Sequence, residues 1–447
     1  MNALRLSRMS AALALAAIFS PSVWSADLLS IFKDALANDA TYSSAKATLA
    51  AGQEALPQGL AGLLPTIGAT ANTTRNAANV TFRSPTAFPS GDRVFNTNGY
   101  SISLSQPLFR WNNWQTYEQS KLSVVQSEAV FAQAGQDLAV RVAQAYFDIL
   151  NAQDNLQVAQ SKKVAISEQL AQAKRNFEVG TSTIVDTNEA QSRYDLVIAE
   201  EIAAQNDLAV KLTALLLIIG KPAGVLSTLR PEVAIPAPQP AQIDKWVDAA
   251  EVGNYAVKAQ EAAAEVARRA IEIQRSGHYP TLDLTASASR NSSSGNTTNN
   301  IGSDSTSSAI GLQVAIPIYA GGAVDSRVRQ AIANQDKAKA DVEVQKRTAA
   351  QNARQFFLGV TNGLAQVRAF EAALTSSKTS LDSNKLGYEV GVRINIDVLN
   401  AQQQLYTTQR DLSKARYDTI VNGLRLKAAT GGLKEEDIAA VNSLLAR

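Results

Sequence analysis

Tyr279-Pro280-Thr281-Leu282-Asp283-Leu284-Thr285-Ala286-Ser287-Ala288-Ser289 is the stretch on which the reading of this chain turns. Leu282, Leu284, Ala286 and Ala288 alternate with Asp283, Thr285, Ser287 and Ser289. That period of two puts the apolar side chains on one face of a strand. After a loop of Ser, Asn, Thr, Gly and Asp the alternation returns, with Ile310, Leu312, Val314 and Ile316 set against Gly311, Gln313 and Ala315. The stretch also has a copy: Leu64-Pro65-Thr66, with a strand-like run ending at Arg75-Asn76, stands 215 positions before Tyr279-Pro280-Thr281 and the run ending at Arg290-Asn291. In that first copy Ile67 to Thr73 alternates, and Tyr100, Ile102 and Leu104 oppose Ser101, Ser103 and Ser105. Further on, Val179-Gly180 with Asp186 and Ala190 recurs 211 positions later as Val390-Gly391 with Asp397 and Ala401. A duplication this long points to an array or a tunnel rather than to one catalytic pocket.

Runs of about ten residues with one apolar face and one polar or small face are the transmembrane β pattern. Taken strand by strand, the alternation also fits half-buried hairpins of a soluble domain. Aromatic residues bracket the strands, with Phe82, Phe88, Phe95 and Tyr100 toward the loop end and Phe109, Trp111, Trp114 and Tyr319 toward the helix end. This is the arrangement of interfacial girdles. Four strands cannot close a barrel, and an open edge in lipid leaves backbone groups unsatisfied, so the chain is expected to oligomerise. Three copies would supply twelve strands, enough to enclose a lumen.

The remainder reads as helix. From Trp111 to Glu178 the pattern is uninterrupted, with Leu138, Val142, Ala145 and Ile149 at three-and-four spacing. Gly180 supplies a left-handed cap, and a returning helix runs from Ile184 to about Ile219 before Gly220 and Pro222. The second copy repeats this with helices from Val324 to Glu389 and Ile396 to Ala429, separated by Gly391. Each copy opens with a helix, Leu28 to Gly62 and Ile243 to Gly277, that complements the shorter returning one. Pro65, Pro107, Pro280 and Pro317 are expected at the four helix–strand junctions. The predicted organisation is a signal peptide at 1–25, a first repeat at 26–220 with its strand pair at 66–107, a Pro-rich linker at 221–242, a second repeat at 243–432 with its strand pair at 281–317, and a terminal segment at 433–447. The linker reads as an extended belt around the helices, with little capacity for a core of its own.

Arg5 and Arg8, the apolar run Ala11 to Phe19 and the small residue Ser25 make the secretory signal. Removing it lowers Lys+Arg from 42 to 40, equal to the 40 Asp+Glu. A neutral mature chain without a basic block argues against nucleic-acid binding. The absence of cysteine excludes disulfides and thiolate metal sites. No stretch after the signal reaches 18 consecutive apolar residues, so no helical membrane span is expected. Enzyme readings lack parts: His278 is the single histidine, Ser276 is its nearest serine, and no HExxH, P-loop or Gly-x-Ser-x-Gly is present. No metal or cofactor is called for. A trimeric coiled-coil adhesin or structural spacer of the envelope would explain the long helices but not the duplicated strand pairs.

Gly277-His278-Tyr279-Pro280-Thr281-Leu282-Asp283-Leu284-Thr285-Ala286-Ser287, Pro317-Ile318-Tyr319 with Gly321-Gly322, and Tyr388-Glu389-Val390-Gly391 followed by Asp397-Val398-Leu399 together resemble the TolC family of outer-membrane export channels. The resemblance covers essentially the whole mature chain. It implies a membrane α+β fold in which a duplicated strand-pair and long-helix repeat forms a homotrimeric 12-stranded β-barrel, continued by a periplasmic α-helical barrel with an equatorial domain from the linker and C-terminal segment. It also implies an exit duct for multidrug efflux or type I protein secretion, set in the outer-membrane lipid of a Gram-negative bacterium. Such a duct works with a periplasmic adaptor and an inner-membrane RND or ABC transporter.

The resemblance further implies site residues. A latch at the helix turns falls on Asp186, Tyr388 and Arg393, with Asp186 accepting from the other two. The family threonine before the aspartate is replaced by Val185. Of two aspartates ringing the family constriction, Asp397 matches the first and Asn400 stands at the second, which reduces the expected ring from six carboxylates to three. Glu189, the repeat-equivalent of Asn400, is a candidate replacement. Gly180 and Gly391 mark the helix turns where an adaptor would dock.

Overall fold

The computed structural model describes residues 26–84, 87–231 and 233–446. The expected signal peptide at 1–25 lies outside the described residues. In chain order the elements are α1 (Leu28–Asn38), α2 (Ala40–Gln53), α3 (Ala55–Ala61), β1 (Thr66–Val80), β2 (Gly91–Phe109), α4 (Trp111–Glu178) and α5 (Ile184–Ile219). The second copy continues with α6 (Ile243–Gly253), α7 (Tyr255–Arg275), β3 (Thr281–Ser293), β4 (Ser303–Ala315), α8 (Ala323–Glu389) and α9 (Asn395–Ala429), and α10 (Glu435–Asn442) closes the chain. At 1.5 Å per residue, α4 with 68 residues and α8 with 67 are each about 100 Å long.

The chain divides into two compact units. One comprises Lys46–Phe131 and Tyr255–Lys346 and contains the sheet. Its four antiparallel strands follow the order β1-β2-β3-β4, so the two copies meet where β2 pairs β3. The registers align Ile67, Leu104, Ala286 and Ile310 in one row and Ala69, Ile102, Ala288 and Ser308 in another. Residues directly opposite in a ladder share a face, so these rows make one surface, apolar apart from Ser308. The intervening row, Gly68, Ser103, Ser287 and Ala309, is small or polar. The apolar surface is uncovered in the chain, with Ile67 71% and Ile310 78% exposed, and every residue of β4 is exposed. A half-buried hairpin of a soluble domain would cover that face.

Pro65 and Pro280 directly precede β1 and β3, and Pro317 lies in the connection from β4 to α8. Pro107 lies inside β2, at an irregularity where Pro107 pairs Asp283 and Phe109 pairs Leu282. Arg110, one residue beyond the strand, clamps Asp283 through Nε at 2.8 Å and a terminal nitrogen at 2.7 Å. His278 approaches Asp325 at 3.3 Å, whereas the Ser276 hydroxyl donates to the Ile273 carbonyl.

The other unit comprises the chain up to Ala45, Ala132–Asn254 and Arg347–Arg447. Its main core gathers Leu28 and Ile31 of α1, Leu138, Val142, Tyr146 and Leu150 of α4, Leu215 and Ile219 of α5, and Ile420 and Leu424 of α9. The linker adds to this core, which the helices build. Leu226 is buried in this cluster and bridges Ala26, while Leu229 bridges Leu445, so the linker is threaded between the two chain ends. The buried Tyr146 hydroxyl donates to the Ser227 carbonyl at 2.8 Å, and burial pushes its pKa upward.

The opening helix of each copy is broken where one continuous helix was expected. Asp39 and Asn254, 215 positions apart, both adopt extended ψ. Asp39 accepts from the Tyr42 amide at 2.6 Å and pairs with Arg141 at 3.0 Å; Asn254 donates to the Ala429 carbonyl at 2.8 Å. Each break is therefore held by a residue on a distant helix. By average hydropathy α5 is apolar enough over one stretch to cross a membrane, unlike the expectation from consecutive apolar residues. Its Lys162–Glu200, Lys163–Glu201 and Asp148–Lys211 ion pairs with α4, together with Leu215 and Ile219 in the core, fit a bundle helix instead.

Candidate functional site at the helix turns

The α4–α5 and α8–α9 turns are built alike. Gly180 and Gly391 adopt φ of 79° and 77°, the left-handed region where a side chain is strained. In each turn the residue after the glycine donates to a carbonyl five positions back, Thr181 to Asn176 at 2.8 Å and Val392 to Gly387 at 2.8 Å. These bonds satisfy carbonyls that the ending helix leaves free.

The helices that follow start differently. Thr183 caps α5: its hydroxyl accepts from the Asp186 amide at 3.3 Å, and Asp186 Oδ2 accepts from the Thr183 amide at 3.0 Å and hydroxyl at 2.9 Å. This reciprocal capping box ties up one face of the Asp186 carboxylate. The equivalent position in the second copy is Ile394, which offers no side-chain cap to α9. Asp397, the equivalent of Asp186, instead lies 3.7 Å from Arg393, four positions before it.

Tyr388 accepts at its hydroxyl from Asn176 Nδ2 at 3.1 Å. Among the described residues of the single chain, no hydrogen bond or ion pair joins Asp186 to Tyr388 or Arg393. Glu189 is half-buried on α5 without an ion pair among the described residues, and Asn400 is exposed on α9. Asn400 Oδ1 accepts from Arg193 of α5 at 3.2 Å.

Behind the turns lies a small core of Ile166, Leu170, Ala173, Ala190, Val197 and Leu399, with Tyr194 and Ile396 packed against it. Asn395 is 1% exposed. Its Oδ1 accepts from Gln169 of α4, and its Nδ2 donates to the Asp186 carbonyl of α5 at 3.2 Å. A buried amide satisfied on both sides thus fastens α9 to α4 and α5. Sequence reasoning passed over Thr183, Asn176, Asn395, Gln169 and Arg193. Thr183-Ile184-Val185-Asp186 carries a capping-box signature that is readable in the sequence; the other contacts join positions more than 200 apart and leave no local trace. Among the described residues no cluster of His, Asp and Glu is arranged to hold a metal ion.

The chain matches the family model described as outer membrane efflux protein over residues 31–221 and 246–432, one segment per copy. It is 32% identical over 425 residues to the outer membrane protein TolC of Vibrio cholerae, covering 95% of each chain. It is 31% identical over 416 residues to the alkaline protease secretion protein AprF of Pseudomonas aeruginosa, covering 93% of this chain and 86% of that one. Its fold matches the crystal structure of the Campylobacter jejuni CmeC outer membrane channel with a TM-score of 0.78 at 19% identity, over 94% of this chain and 90% of that chain. With its two matched copies, its exposed four-stranded sheet and its paired helix turns, the chain belongs to the outer membrane efflux protein family.

Proposed function

We infer that this protein is an outer-membrane channel that provides the exit duct for efflux or type I secretion. The observation that carries the reading is the four-stranded sheet, with one apolar face uncovered and both edge strands, β1 and β4, without a partner on one side. In lipid those edges are satisfied only by closure with further copies. Three copies give a twelve-stranded barrel, β4 of one pairing β1 of the next, and the helices continue it as a periplasmic tunnel. Relatives named for protease secretion and for efflux both support a passive duct whose cargo is set by its partners, an adaptor and an RND or ABC transporter of the inner membrane. The Gly180 and Gly391 turns are the surface for the adaptor.

The helix turns form the gate. Asp186 retains an oxygen, Oδ1, beyond the capping box, and Arg393 of an adjoining copy reaches it in the closed state, with Tyr388 supporting the turn through Asn176. Asp397 lines the constriction. The adhesin alternative has no support in the relatives, which are secretion and efflux proteins. Crosslinking of the purified protein followed by conductance in planar bilayers tests the reading: a trimeric pore supports it, and Arg393→Ser with Tyr388→Phe should raise conductance. A monomer without conductance, or an unchanged double variant, counts against the channel or the latch respectively.

A further inference from the structure

The charges at the helix turns are balanced. Between 174–193 and 385–400 there are five basic residues, Lys174, Arg175, Arg193, Lys385 and Arg393, and five acidic ones. Two of the basic residues are placed beside the acidic constriction. Arg393 lies 3.7 Å from Asp397. Arg193 reaches from α5 to α9 and donates to Asn400 Oδ1 at 3.2 Å. Asp397 and Asn400 are three apart and so share a helix face. A guanidinium fixed on Asn400 therefore stands within one turn of the Asp397 carboxylate.

Resting on the reading of Asp397 as a constriction residue, we propose that Arg193 is a charge-selectivity residue of the tip: anchored on Asn400, it offsets the field of Asp397 and leaves the passage open to anionic as well as cationic solutes. A ring of carboxylates alone would focus a negative potential in a narrow passage and repel anions. With the Arg193 guanidinium of each chain added to Arg393 beside the Asp397 carboxylate, the negative field is offset and falls off within a Debye length. An aspartate placed at 400 would meet Arg193 as an ion-pair partner and would add no free charge.

The experiment is the reversal potential of the full chain in planar bilayers under a potassium chloride gradient, for wild type, Arg193→Gln, Arg193→Lys, Asn400→Asp and the Arg193→Gln/Asn400→Asp double variant. The wild type should be weakly selective. Arg193→Gln should raise the cation-to-anion permeability ratio by about fivefold, as expected when three positive charges leave a partly screened ring. Arg193→Lys should stay near wild type, because the charge remains. Asn400→Asp should also stay near wild type, while the double variant should exceed Arg193→Gln alone, a coupling that a purely structural role would not produce. A conducting wild type whose selectivity Arg193→Gln leaves unchanged, or a lysine variant that shifts as far as glutamine, overturns the proposal while the channel reading stands. A wild type without conductance overturns the channel reading and this one with it.

Discussion

Asn395 Nδ2 donates to the Asp186 carbonyl across 3.2 Å, joining the starts of two helices that stand 209 residues apart in the chain. The same amide accepts from Gln169, so α4, α5 and α9 are fastened by one buried side chain. Opening the tip by moving α8 and α9 away from α4 and α5 must break this link. Asn395→Leu keeps the volume and removes both bonds, leaving the Gln169 amide without this partner at about 1–3 kcal/mol. Since about 1.4 kcal/mol moves a two-state equilibrium tenfold, open-state occupancy should rise by an order of magnitude or more. Single-channel recording measures it, and an unchanged open probability would detach Asn395 from the gate.

The two copies differ at one capping position, Thr183 against Ile394. Thr183→Val should cost about 1 kcal/mol through loss of the cap. Ile394→Thr should return a similar amount by supplying α9 with the cap that α5 already has. The new hydroxyl and amide should also draw the Asp397 carboxylate toward position 394 and away from Arg393. Limited proteolysis at the turns reports the order: the Thr183 variant cleaved faster than wild type, the Ile394 variant more slowly.

Gly180 and Gly391 sit in open space, and a Cβ at either would touch nothing within 4 Å. Replacement by alanine therefore tests backbone strain without steric clash. The left-handed conformation costs an L-residue about 1–2 kcal/mol. Each variant should fold and assemble but loosen its turn, detectable as faster amide exchange confined to the last turn of α4 or α8. Protection equal to wild type would mean the turn has another conformation available at no cost.

Arg110 and Asp283 tie the first copy to the second at the base of the sheet, and Asp283 is 7% exposed. Arg110→Ala leaves that carboxylate without its partner. Because the arginine is partly solvated, the cost should be nearer about 1–3 kcal/mol than the value for a fully buried pair. The expected result is a lower temperature for loss of the assembled form in gel-shift assays. The double substitution Arg110→Met/Asp283→Leu should recover much of the loss, since no charge is then left unpaired.

Alkaline stability follows from Tyr146 and Tyr417, both pushed upward in pKa by burial. A folded pKa above the unfolded value near 10 means the contribution is whole below about pH 10 and is lost as pH rises toward the folded value. Circular dichroism should show the helical units melting progressively above about pH 10. Tyr146→Phe, which removes the ionising hydroxyl, should weaken that dependence while costing some stability at neutral pH through loss of the buried bond to the Ser227 carbonyl.

The regular architecture was legible because its signals are local. Alternation set the four strands, and the glycines at 180, 220 and 391 with the proline after Gly220 bounded the long helices to within a residue or two. The breaks at Asp39 and Asn254 were not legible, because extended ψ there depends on Arg141 and Ala429, supplied from far along the chain. Leu226 entered the core for a similar reason: a Pro-rich stretch looks extended in isolation, and only the neighbouring chain ends show what its one buried leucine packs against. Pro107 falls two residues before the end of β2 rather than at the junction, because the strand tolerates it at an irregularity in the ladder. At the tip, the residue types that resemble the family were visible, whereas Asn395 and Arg193 carried no pattern that distinguishes a buried amide or an interhelical guanidinium from surface polarity.

Closure of the sheet by further copies is tested most directly by the conductance of the crosslinked protein in a planar bilayer. The prediction is a covalent trimer that inserts and gives stable, discrete channels, with crosslinks forming only between cysteines placed on β1 of one copy and β4 of another. A monomer that binds lipid without conducting, or crosslinks joining β1 to β4 within one chain, would contradict it.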